Sequence, residues 1–463
     1  MVLDRRTLRS QPLALMATEG LLVFLAVLGA AALRFQGLDE SVLLEGGLLL
    51  RALLFATITI VCLYYWDFYD PYLALAPRQL AVRLLQALGS AAVLLAVVTY
   101  ALPPFAIGRG ILILADLLIL GFLLSWRLAL LAIRRADDFQ ERVLVVGTGT
   151  VARRVVQEVL ARPSLGFKVH GFIDDDLALQ GKSIVNPRVV GTTADLPRLV
   201  KDGAITRVVV ALTERRGRLP IESLLDLKLT GTRVDDAASF YERVTGKILV
   251  EDLRPSWLVF SDGFGPSKST RLMKRLADLL LATVGLILAG PLMAVIAALI
   301  RLESPGPALF RQVRVGEGER LFTLYKFRSM RADAEEATGP VWATANDPRV
   351  TRVGYWLRKL RLDELPQLWN VLRGDMSFVG PRPERPHFVE QLKAQVPYYS
   401  QRHAVKPGVT GWAQVRYPYG NTVADAVEKL QYDLYYIKNL SLGLDFMVVL
   451  QTVKVVLLGR GAV

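Results

Sequence analysis

Two adjacent acids, Asp363 and Glu364, are the residues of this sequence whose types and placement point most directly to chemistry. They precede a helix-like run, Leu365–Leu372, whose Pro366 is tolerated only in a first turn, where backbone amides have no intrahelical partner. The positive end of the helix dipole favours an ionised carboxylate and attracts phosphate. An ionised aspartate can attack a phosphoryl group, and a neighbouring carboxylate can hold Mg²⁺ beside a diphosphate. Taken alone, the same pair would also serve as an ordinary helix cap.

Basic residues lie close to the two acids in the sequence. Arg382 occupies a stiff Pro-Arg-Pro turn, and Lys326 and Arg328 lie on a strand-like run. Arginine is suited to bidentate contact with phosphate, so acids among these bases predict a diphosphate-bearing substrate. RNA binding could also use bases and aromatic residues, but it would not explain the neighbouring apolar segment, so no nucleic-acid partner is expected. The other bases before the dyad are Arg358, Lys359 and Arg361.

That apolar segment, Leu276–Ile300, is long enough to span a membrane. Basic residues flank it on both sides, and both flanks therefore prefer the cytosol. Gly290 and Pro291 lie in its middle, where proline removes a hydrogen bond and kinks a helix. We expect a broken, re-entrant helix over about residues 274–301 that dips into one leaflet and returns, because a straight crossing would place the following basic chain outside.

Composition independently indicates a membrane protein. Of 463 residues, 52% are hydrophobic and 21% are charged, and the mean hydropathy is +0.35. These values exclude a disordered chain and an ordinary soluble protein. The net charge of +13 agrees with an excess of Lys and Arg on cytoplasmic flanks. A single cysteine, Cys62, excludes a disulfide framework.

Four apolar stretches predict four transmembrane helices within residues 1–135. Each is near the ~20 residues that a spanning helix needs. Basic residues precede the first stretch and follow the fourth, whereas the first loop carries acids, so the positive-inside rule places both ends of this unit in the cytosol. The stretches are roughly Leu13–Leu33, Leu48–Tyr65, Leu80–Leu102 and Ile111–Ile133.

Residues 143–245 have the pattern of a small doubly wound, Rossmann-like α/β domain. The run RVLVVGTGTVARRVVQEVL reads as strand, glycine turn and helix, with Gly147, Gly149 and Ala152 forming a G-x-G-x-x-A fingerprint. The ribose-binding acid of such domains should end the second strand, but Asp174 comes later in the sequence than expected. A turn without a cofactor, a regulatory nucleotide site and NAD binding all stay open. The three acids at 174–176 also fit a D-x-D metal pattern or a solvated turn.

From residue 271 onward the sequence resembles the bacterial sugar transferase domain of the monotopic phosphoglycosyl transferases. The matching pieces are KRLADLLLATVGLILAGPLMAVIAALIRLESPGPALFRQVRVG, YKFRSM, LDELPQLWNVLRGDMSFVGPRP and KPGVTGWAQV. The whole chain is similar to the large form of that family, with four spans and a Rossmann-like domain ahead of a mainly helical monotopic catalytic domain at 271–463, after a linker at 246–270. PRPERPHFVEQL and the C-terminal run are similar to an exosortase-associated, exopolysaccharide-initiating subgroup.

The resemblance implies a reaction and roles for particular residues. The family transfers a sugar 1-phosphate from a UDP-sugar, here UDP-glucose or UDP-galactose, to polyprenyl phosphate on the cytosolic face of the bacterial inner membrane, and UMP is released. Asp363 matches the family nucleophile, which forms a phosphosugar-enzyme intermediate. Glu364 matches the Mg²⁺ ligand, and Arg382 matches an arginine near the nucleotide phosphates. The residues that fall in motifs with less defined substrate-binding roles are Lys326, Arg328, Arg361 and Gln414. The large form is also expected to be a homodimer.

Two other functions are alternatives to this hypothesis. A membrane-anchored, NAD-dependent nucleotide-sugar dehydratase or epimerase would need Tyr-x-x-x-Lys beside its cofactor. That spacing occurs only at Tyr355 and Lys359, outside the Rossmann-like region. A non-catalytic membrane scaffold that senses a nucleotide through the middle domain is the second alternative.

Overall fold

The computed structural model describes residues 5–35, 47–70, 77–135, 140–212, 219–251, 255–331, 334, 347–417, 420 and 422–457. The chain divides into two compact units, Met1–Thr245 and Gly246–Val463. The first contains a helical bundle and a parallel-sheet domain, and the second contains the acid dyad. The catalytic domain predicted from residue 271 therefore starts about 25 residues after the second unit begins.

Four long helices form the bundle of the first unit. They pack through small side chains such as Ala26, Ala30 and Ala52, which let the helix backbones approach closely. In the described residues, five helices are long and apolar enough to cross a membrane, these four and one in the second unit. The bundle helices are α1 (Arg5–Phe35), α2 (Leu48–Tyr65), α3 (Pro77–Ala101) and α4 (Arg109–Arg135).

A buried ion pair connects the first and fourth helices of the bundle. Arg127 on α4 donates to Glu19 on α1, with Nη2 2.7 Å from Oε2, and the Tyr69 hydroxyl donates to the same oxygen at 2.7 Å. Arg127 Nη1 also donates to the Phe68 carbonyl at 3.1 Å. These contacts within the bundle account for a charged residue on an otherwise apolar helix.

The middle of the chain folds as a five-stranded parallel sheet, which confirms the predicted α/β domain. Strand order is β3-β2-β1-β4-β5, and α-helices connect β1 to β2, β3 to β4 and β4 to β5 along the chain. Apolar side chains of the central strands, including Leu144, Val146 and Val208, are fully buried. The elements are β1 (Glu141–Val146), α5 (Thr150–Ala161), β2 (Phe167–Ile173), β3 (Val189–Gly191), α6 (Leu196–Asp202), β4 (Arg207–Val210), α7 (Ile221–Leu229), β5 (Arg233–Asp236) and α8 (Ala237–Thr245).

The second unit combines helices with two small two-stranded sheets. β6 and β7 form an antiparallel hairpin, and β8 pairs with β9 in parallel. Its elements are α9 (Pro255–Phe260), α10 (Lys268–Glu303), β6 (Leu309–Val315), β7 (Leu321–Phe327), α11 (Arg352–Lys359), α12 (Gln367–Arg373), β8 (Ser377–Val379), α13 (Pro386–Gln395), β9 (Gly408–Thr410), α14 (Trp412–Arg416), α15 (Val423–Lys438) and α16 (Leu442–Leu457).

Helix α10 is the apolar segment for which the sequence predicts a break. The helix continues through Gly290 and Pro291 as one 36-residue element, so no interruption occurs at this step. Proline removes one backbone hydrogen bond, and the turns on either side can still form. Both halves of α10 pack against other elements of the second unit: Ala282 lies beside Val371, and Ile296 lies beside Leu357.

Candidate active site around Asp363 and Glu364

The acid dyad lies on its own turn of 3₁₀-helix, Leu362–Glu364, directly ahead of α12. The sequence predicts a helix from Leu365, but regular helix begins two residues later, because Pro366 occupies the N-cap. Leu362 and Leu365 pack against the core that includes Ile296 and Phe327. Burying these leucines leaves the intervening acids directed away from that core.

Two cations from different elements meet at Glu364. Lys326 Nζ on β7 lies 3.2 Å from Glu364 Oε1, and Arg382 Nη2 lies 3.0 Å from the same oxygen. Burial opposes ionisation of Glu364, but the charges of Lys326, Arg382 and Arg361 outweigh it and hold the pKa of this carboxyl well below its ordinary value. Glu364 is therefore an anion at neutral pH.

The neighbouring Asp363 is affected in the opposite direction. Burial raises its pKa and the negative charge of Glu364 adds to that rise, against the attraction of Lys326, Arg382 and Arg358. Burial also lowers the pKa of Lys326, in spite of the two carboxylates beside it. Adjacent carboxyls whose pKa values are moved apart are typical of sites where the two groups have different chemical tasks.

A buried asparagine that the sequence analysis missed fixes the strand bearing Lys326 to the helix after the dyad. Asn370 on α12 is fully buried, and its Nδ2 donates to the Thr323 carbonyl at 2.7 Å. The Tyr325 amide donates to Asn370 Oδ1 at 3.1 Å. The Asn370 side chain therefore bonds to the two residues of β7 that flank Leu324. These two hydrogen bonds set the distance from Lys326 to Glu364. Its only sequence signal is a polar residue in the apolar run LPQLWNVL.

The Pro-Arg-Pro turn and the KPGVTGWAQV segment, far apart in sequence, meet through glycines. A Cβ on Gly408 would lie 2.1 Å from the Gly380 nitrogen, and one on Gly380 would lie 2.3 Å from the Lys406 carbonyl oxygen. This close approach lets the Gly408 amide donate to the Pro381 carbonyl at 2.9 Å. The second segment thereby supports the backbone of Arg382.

Arg328 lies away from the dyad, which corrects its expected role in binding substrate phosphate. Its buried guanidinium donates to the Ser304 and Pro305 carbonyls at 2.8 and 2.7 Å. These carbonyls follow the C-terminal end of α10, where a cation is favoured by the helix dipole. The structure assigns Arg328 to this helix end.

Two further predicted residues differ in how close they lie to the dyad. Arg361 immediately precedes the turn, in a left-handed conformation with φ 54°, and its charge acts on Glu364. Gln414 on α14 donates through Nε2 to the Val409 carbonyl at 3.3 Å. Its buried Oε1 has no hydrogen-bond partner within the described residues. No contact brings Gln414 to the dyad within that part of the chain.

The glycine fingerprint of the middle domain has structural reasons of its own. Gly147 has φ +102°, and a Cβ there would lie 2.9 Å from the Ala211 carbonyl oxygen at the end of β4. Gly149 has φ −63°, a value open to any residue. Asp174 directly follows β2, and it accepts a hydrogen bond from the Thr148 hydroxyl at 2.6 Å. Ligand binding by this domain stays a prediction.

Comparison with known proteins gives two domain matches. The model described as "Bacterial sugar transferase" matches residues 269–459, and the one described as "CoA-binding domain" matches residues 65–221. The UDP-glucose:undecaprenyl-phosphate glucose-1-phosphate transferase of Escherichia coli strain K12 is 35% identical over 337 residues, which are 69% of this chain and 68% of the relative.

The chain belongs to the bacterial sugar transferase family.

Other relatives are matched over less of their length. A UDP-N-acetylgalactosamine-undecaprenyl-phosphate N-acetylgalactosaminephosphotransferase of Aeromonas hydrophila is 47% identical over 221 residues, 48% of this chain and 51% of the relative. An undecaprenyl-phosphate glucose phosphotransferase of Komagataeibacter xylinus is 33% identical over 337 residues, 69% of this chain and 60% of the relative. This bacterial sugar transferase thus spans about half to three fifths of these two proteins.

Within this bacterial sugar transferase the family match contains every element of the candidate active site. The dyad, Lys326 and Arg382 all lie between residues 269 and 459. Tyr355 and Lys359, which the dehydratase alternative required, lie on α11 of the same unit and not on the parallel sheet. The dehydratase or epimerase alternative is therefore not favoured.

Proposed function

We propose that this protein transfers a sugar 1-phosphate from a UDP-sugar to polyprenyl phosphate, releases UMP, and so begins exopolysaccharide repeat-unit synthesis. The observation that carries the proposal is the Asp363–Glu364 turn inside the matched transferase domain, with two cations 3.0 and 3.2 Å from Glu364. The relatives' names describe sugar-phosphate transfer to undecaprenyl phosphate. A membrane-embedded lipid acceptor agrees with the apolar helices.

The first step of the proposed reaction forms a covalent intermediate on Asp363. One carboxylate oxygen attacks the β-phosphorus of the UDP-sugar, and the bond between this phosphorus and the bridging oxygen breaks. UMP leaves with the electron pair, and the sugar phosphate is held as an acyl phosphate. A phosphate oxygen of the lipid then attacks the same phosphorus, which restores the Asp363 carboxylate and yields a polyprenyl diphosphate sugar.

The cations of the site stabilise the charge that this exchange develops. In this proposal Arg382 contacts the nucleotide phosphates, and Lys326 lowers the pKa of both carboxyls and so favours their ionised forms. When bound, Mg²⁺ would supply neutralisation of the diphosphate, and ionised Glu364 would hold it. A single carboxylate suits this role, because Mg²⁺ is commonly held by one or two carboxylates together with substrate phosphates.

The proposal also assigns a side of the membrane and a path for α10. Both ends of α10 contact other elements of the second unit. Lys274 Nζ donates to the Val379 carbonyl at 3.0 Å, and the Ser304 carbonyl accepts from Arg328 at 2.8 Å. With both flanks basic, we propose that α10 bends at Pro291, enters one leaflet and returns to the cytosolic face. The active site would then meet cytosolic nucleotide sugars and the lipid phosphate at one surface.

The sugar, the middle-domain ligand and the oligomeric state belong to the same proposal. We propose UDP-glucose or UDP-galactose as donor, while the relatives' names include glucose and N-acetylgalactosamine. NAD or another nucleotide is the proposed ligand of the parallel-sheet domain, and a homodimer is the proposed assembly. A UMP-release screen with these three UDP-sugars and polyprenyl phosphate identifies the donor.

The Asp363→Asn variant tests the proposed nucleophile. Asparagine keeps the size of the side chain but lacks the ionised oxygen, so UMP release from the best UDP-sugar should fall to background. Asp262→Asn is the matched control, since Asp262 is exposed and remote in sequence from the dyad. Release from Asp363→Asn at the control's rate would refute the proposed mechanism.

A further inference from the structure

Hydrogen bonds from neighbouring segments to consecutive backbone carbonyls hold the Pro-Arg-Pro turn in place. Each of the four consecutive carbonyls from Pro381 to Glu384 accepts a hydrogen bond from a different residue. Because the two prolines have no N–H, these carbonyls are the turn's main polar attachments. The donors are the Gly408 amide to Pro381 at 2.9 Å, Arg402 Nη2 to Arg382 at 3.0 Å, Arg314 Nη1 to Pro383 at 3.0 Å and the Val315 amide to Glu384 at 3.0 Å.

Arg402 is the most deeply buried of the side-chain donors. Its side chain is 6% exposed, and its guanidinium bonds three partners in different directions. Nη1 donates to the Tyr399 hydroxyl at 2.6 Å, and Nη2 lies 3.0 Å from the Arg382 carbonyl and 2.9 Å from Asp433 Oδ2 on α15. Asp433 is itself only 2% exposed at its side chain. A guanidinium presents its donors from separate nitrogens in a rigid plane, which fits partners at these separate positions, whereas an ammonium carries its three donors on a single nitrogen.

We propose that Arg402, held by Asp433, is a positioning residue that acts on the reaction through Arg382. It bonds the backbone of the residue whose side chain reaches Glu364, so it sets where the Arg382 guanidinium lies relative to the dyad. Arg314 supports the same turn from the β6 side. The inference rests on the proposed function, because the consequence that matters is contact between Arg382 and a nucleotide phosphate.

A double-mutant cycle separates positioning from general stabilisation. Arg402→Lys keeps a charge beside Asp433 but loses the fork, and kcat/KM for the UDP-sugar should fall about tenfold to a hundredfold. In an Arg382→Ala background the same change should alter kcat/KM by less than about twofold, because the group through which it acts is absent. An equal loss in both backgrounds would overturn the proposal.

Two further variants keep the cycle interpretable. If Arg402→Lys does not fold, Arg314→Gln replaces it, since Arg314 is nearer the surface and should show the same dependence on Arg382. Lys247→Gln is the matched control: it breaks an ion pair to Glu428, on the same helix as Asp433, and it should change kcat/KM by less than about twofold. A loss in this control as large as in Arg402→Lys would show that docking of α15, and not Arg402, matters.

A labelling experiment tests positioning without reference to activity. Phenylglyoxal modification of Arg382 in the purified full-length protein, followed by mass spectrometry, should proceed at least about threefold faster in Arg402→Lys than in wild type or Lys247→Gln, since loss of the carbonyl anchor frees the turn. Unchanged labelling would overturn the proposal. Failure of the wild type to release UMP from any UDP-sugar would refute the proposed function alone, and the labelling would still decide the positioning.

Discussion

At the residue scale, the site consists of two neighbouring carboxyls in different electrostatic environments. Glu364 contacts two cations directly, whereas burial dominates at Asp363. One acid is thereby fixed as an anion, and the ionisation of the other depends on the charges around it. Lys326 is the charge that acts most strongly on both.

The Lys326→Met variant tests this dependence. The lysine lowers the pKa of Asp363, so its removal should raise that pKa further. The proposed nucleophile must be ionised, and its ionised fraction is lost as pH falls through its pKa. The acidic limb of the pH profile of kcat/KM for UMP release should therefore move to higher pH in Lys326→Met.

The matched control for this prediction is Lys359→Met. Lys359 stacks on Trp356, 5.1 Å from the ring centre, and is not among the charges that act on Asp363. Its acidic limb should match that of the wild type. A limb that stays in place or moves to lower pH in Lys326→Met would contradict the electrostatic account of the dyad.

Sequence patterns single out Asp363, Glu364 and Arg382 through their neighbours and through the family resemblance, and Arg382 does contact Glu364 in the structure. Arg328 shows where such reasoning stops. It lies two residues beyond Lys326, a spacing that would place both on one face of a continuing strand. However, β7 ends at Phe327, and Arg328 turns towards the end of α10. The end of a strand at one particular residue depends on the packing around it, which the motif alone does not contain.

At the element scale, the site depends on close contacts between segments that are distant in sequence. Gly380 and Gly408 allow β8 and β9 to approach, and Asn370 bonds α12 to β7. The sequence contains these residues, but their roles arise only when the segments meet. The helices and the doubly wound α/β domain followed from the sequence pattern, whereas these contacts could not.

The Gly408→Ala variant tests the backbone approach. The added Cβ would lie 2.1 Å from the Gly380 nitrogen, so β8 and β9 must separate, and the support of the Arg382 backbone is lost. We expect a lower Tm in detergent and at least about a tenfold loss of UMP release, because the added methyl overpacks the contact between the two strands.

Gly443→Ala on α16 is the matched control, since nothing lies within 4 Å of its added Cβ. It should retain activity and change stability by at most ~0.5–1 kcal/mol, in the stabilising direction. If Gly408→Ala kept the Tm and activity of this control, the glycine contact would not be what supports the turn.

At the scale of the whole molecule, apolar helices and basic flanks define how the protein meets the membrane. Five described helices have the length and composition to cross it, and α10 carries basic residues on both of its flanks. The sequence predicted the membrane class, the parallel-sheet domain and the transferase domain correctly. It also predicted a broken helix at Gly290 and Pro291, whereas α10 continues through both residues as one helix, because the turns on either side of a proline can still form.

Thiol labelling tests the proposed path of α10. In a Cys62→Ala background, single cysteines replace Lys268, in the first turn of α10, or Glu317, which follows α10 and β6. They report which side of the membrane each flank of α10 faces. Both should react with a membrane-impermeant maleimide in inside-out vesicles, and neither should react in intact spheroplasts. Reaction of the two positions from opposite sides would show that α10 crosses the membrane and would refute the re-entrant path.

The most direct test of the account is the mass of the protein after incubation with its UDP-sugar and Mg²⁺ in the absence of polyprenyl phosphate. Wild type should gain the mass of one sugar phosphate less water on a peptide containing Asp363, with one UMP released for each adduct formed, and later addition of polyprenyl phosphate should remove the adduct. Asp363→Asn should gain no mass. Sugar-phosphate transfer to the lipid by Asp363→Asn, or a wild type that releases UMP only when lipid is present and never carries the adduct, would contradict the covalent mechanism.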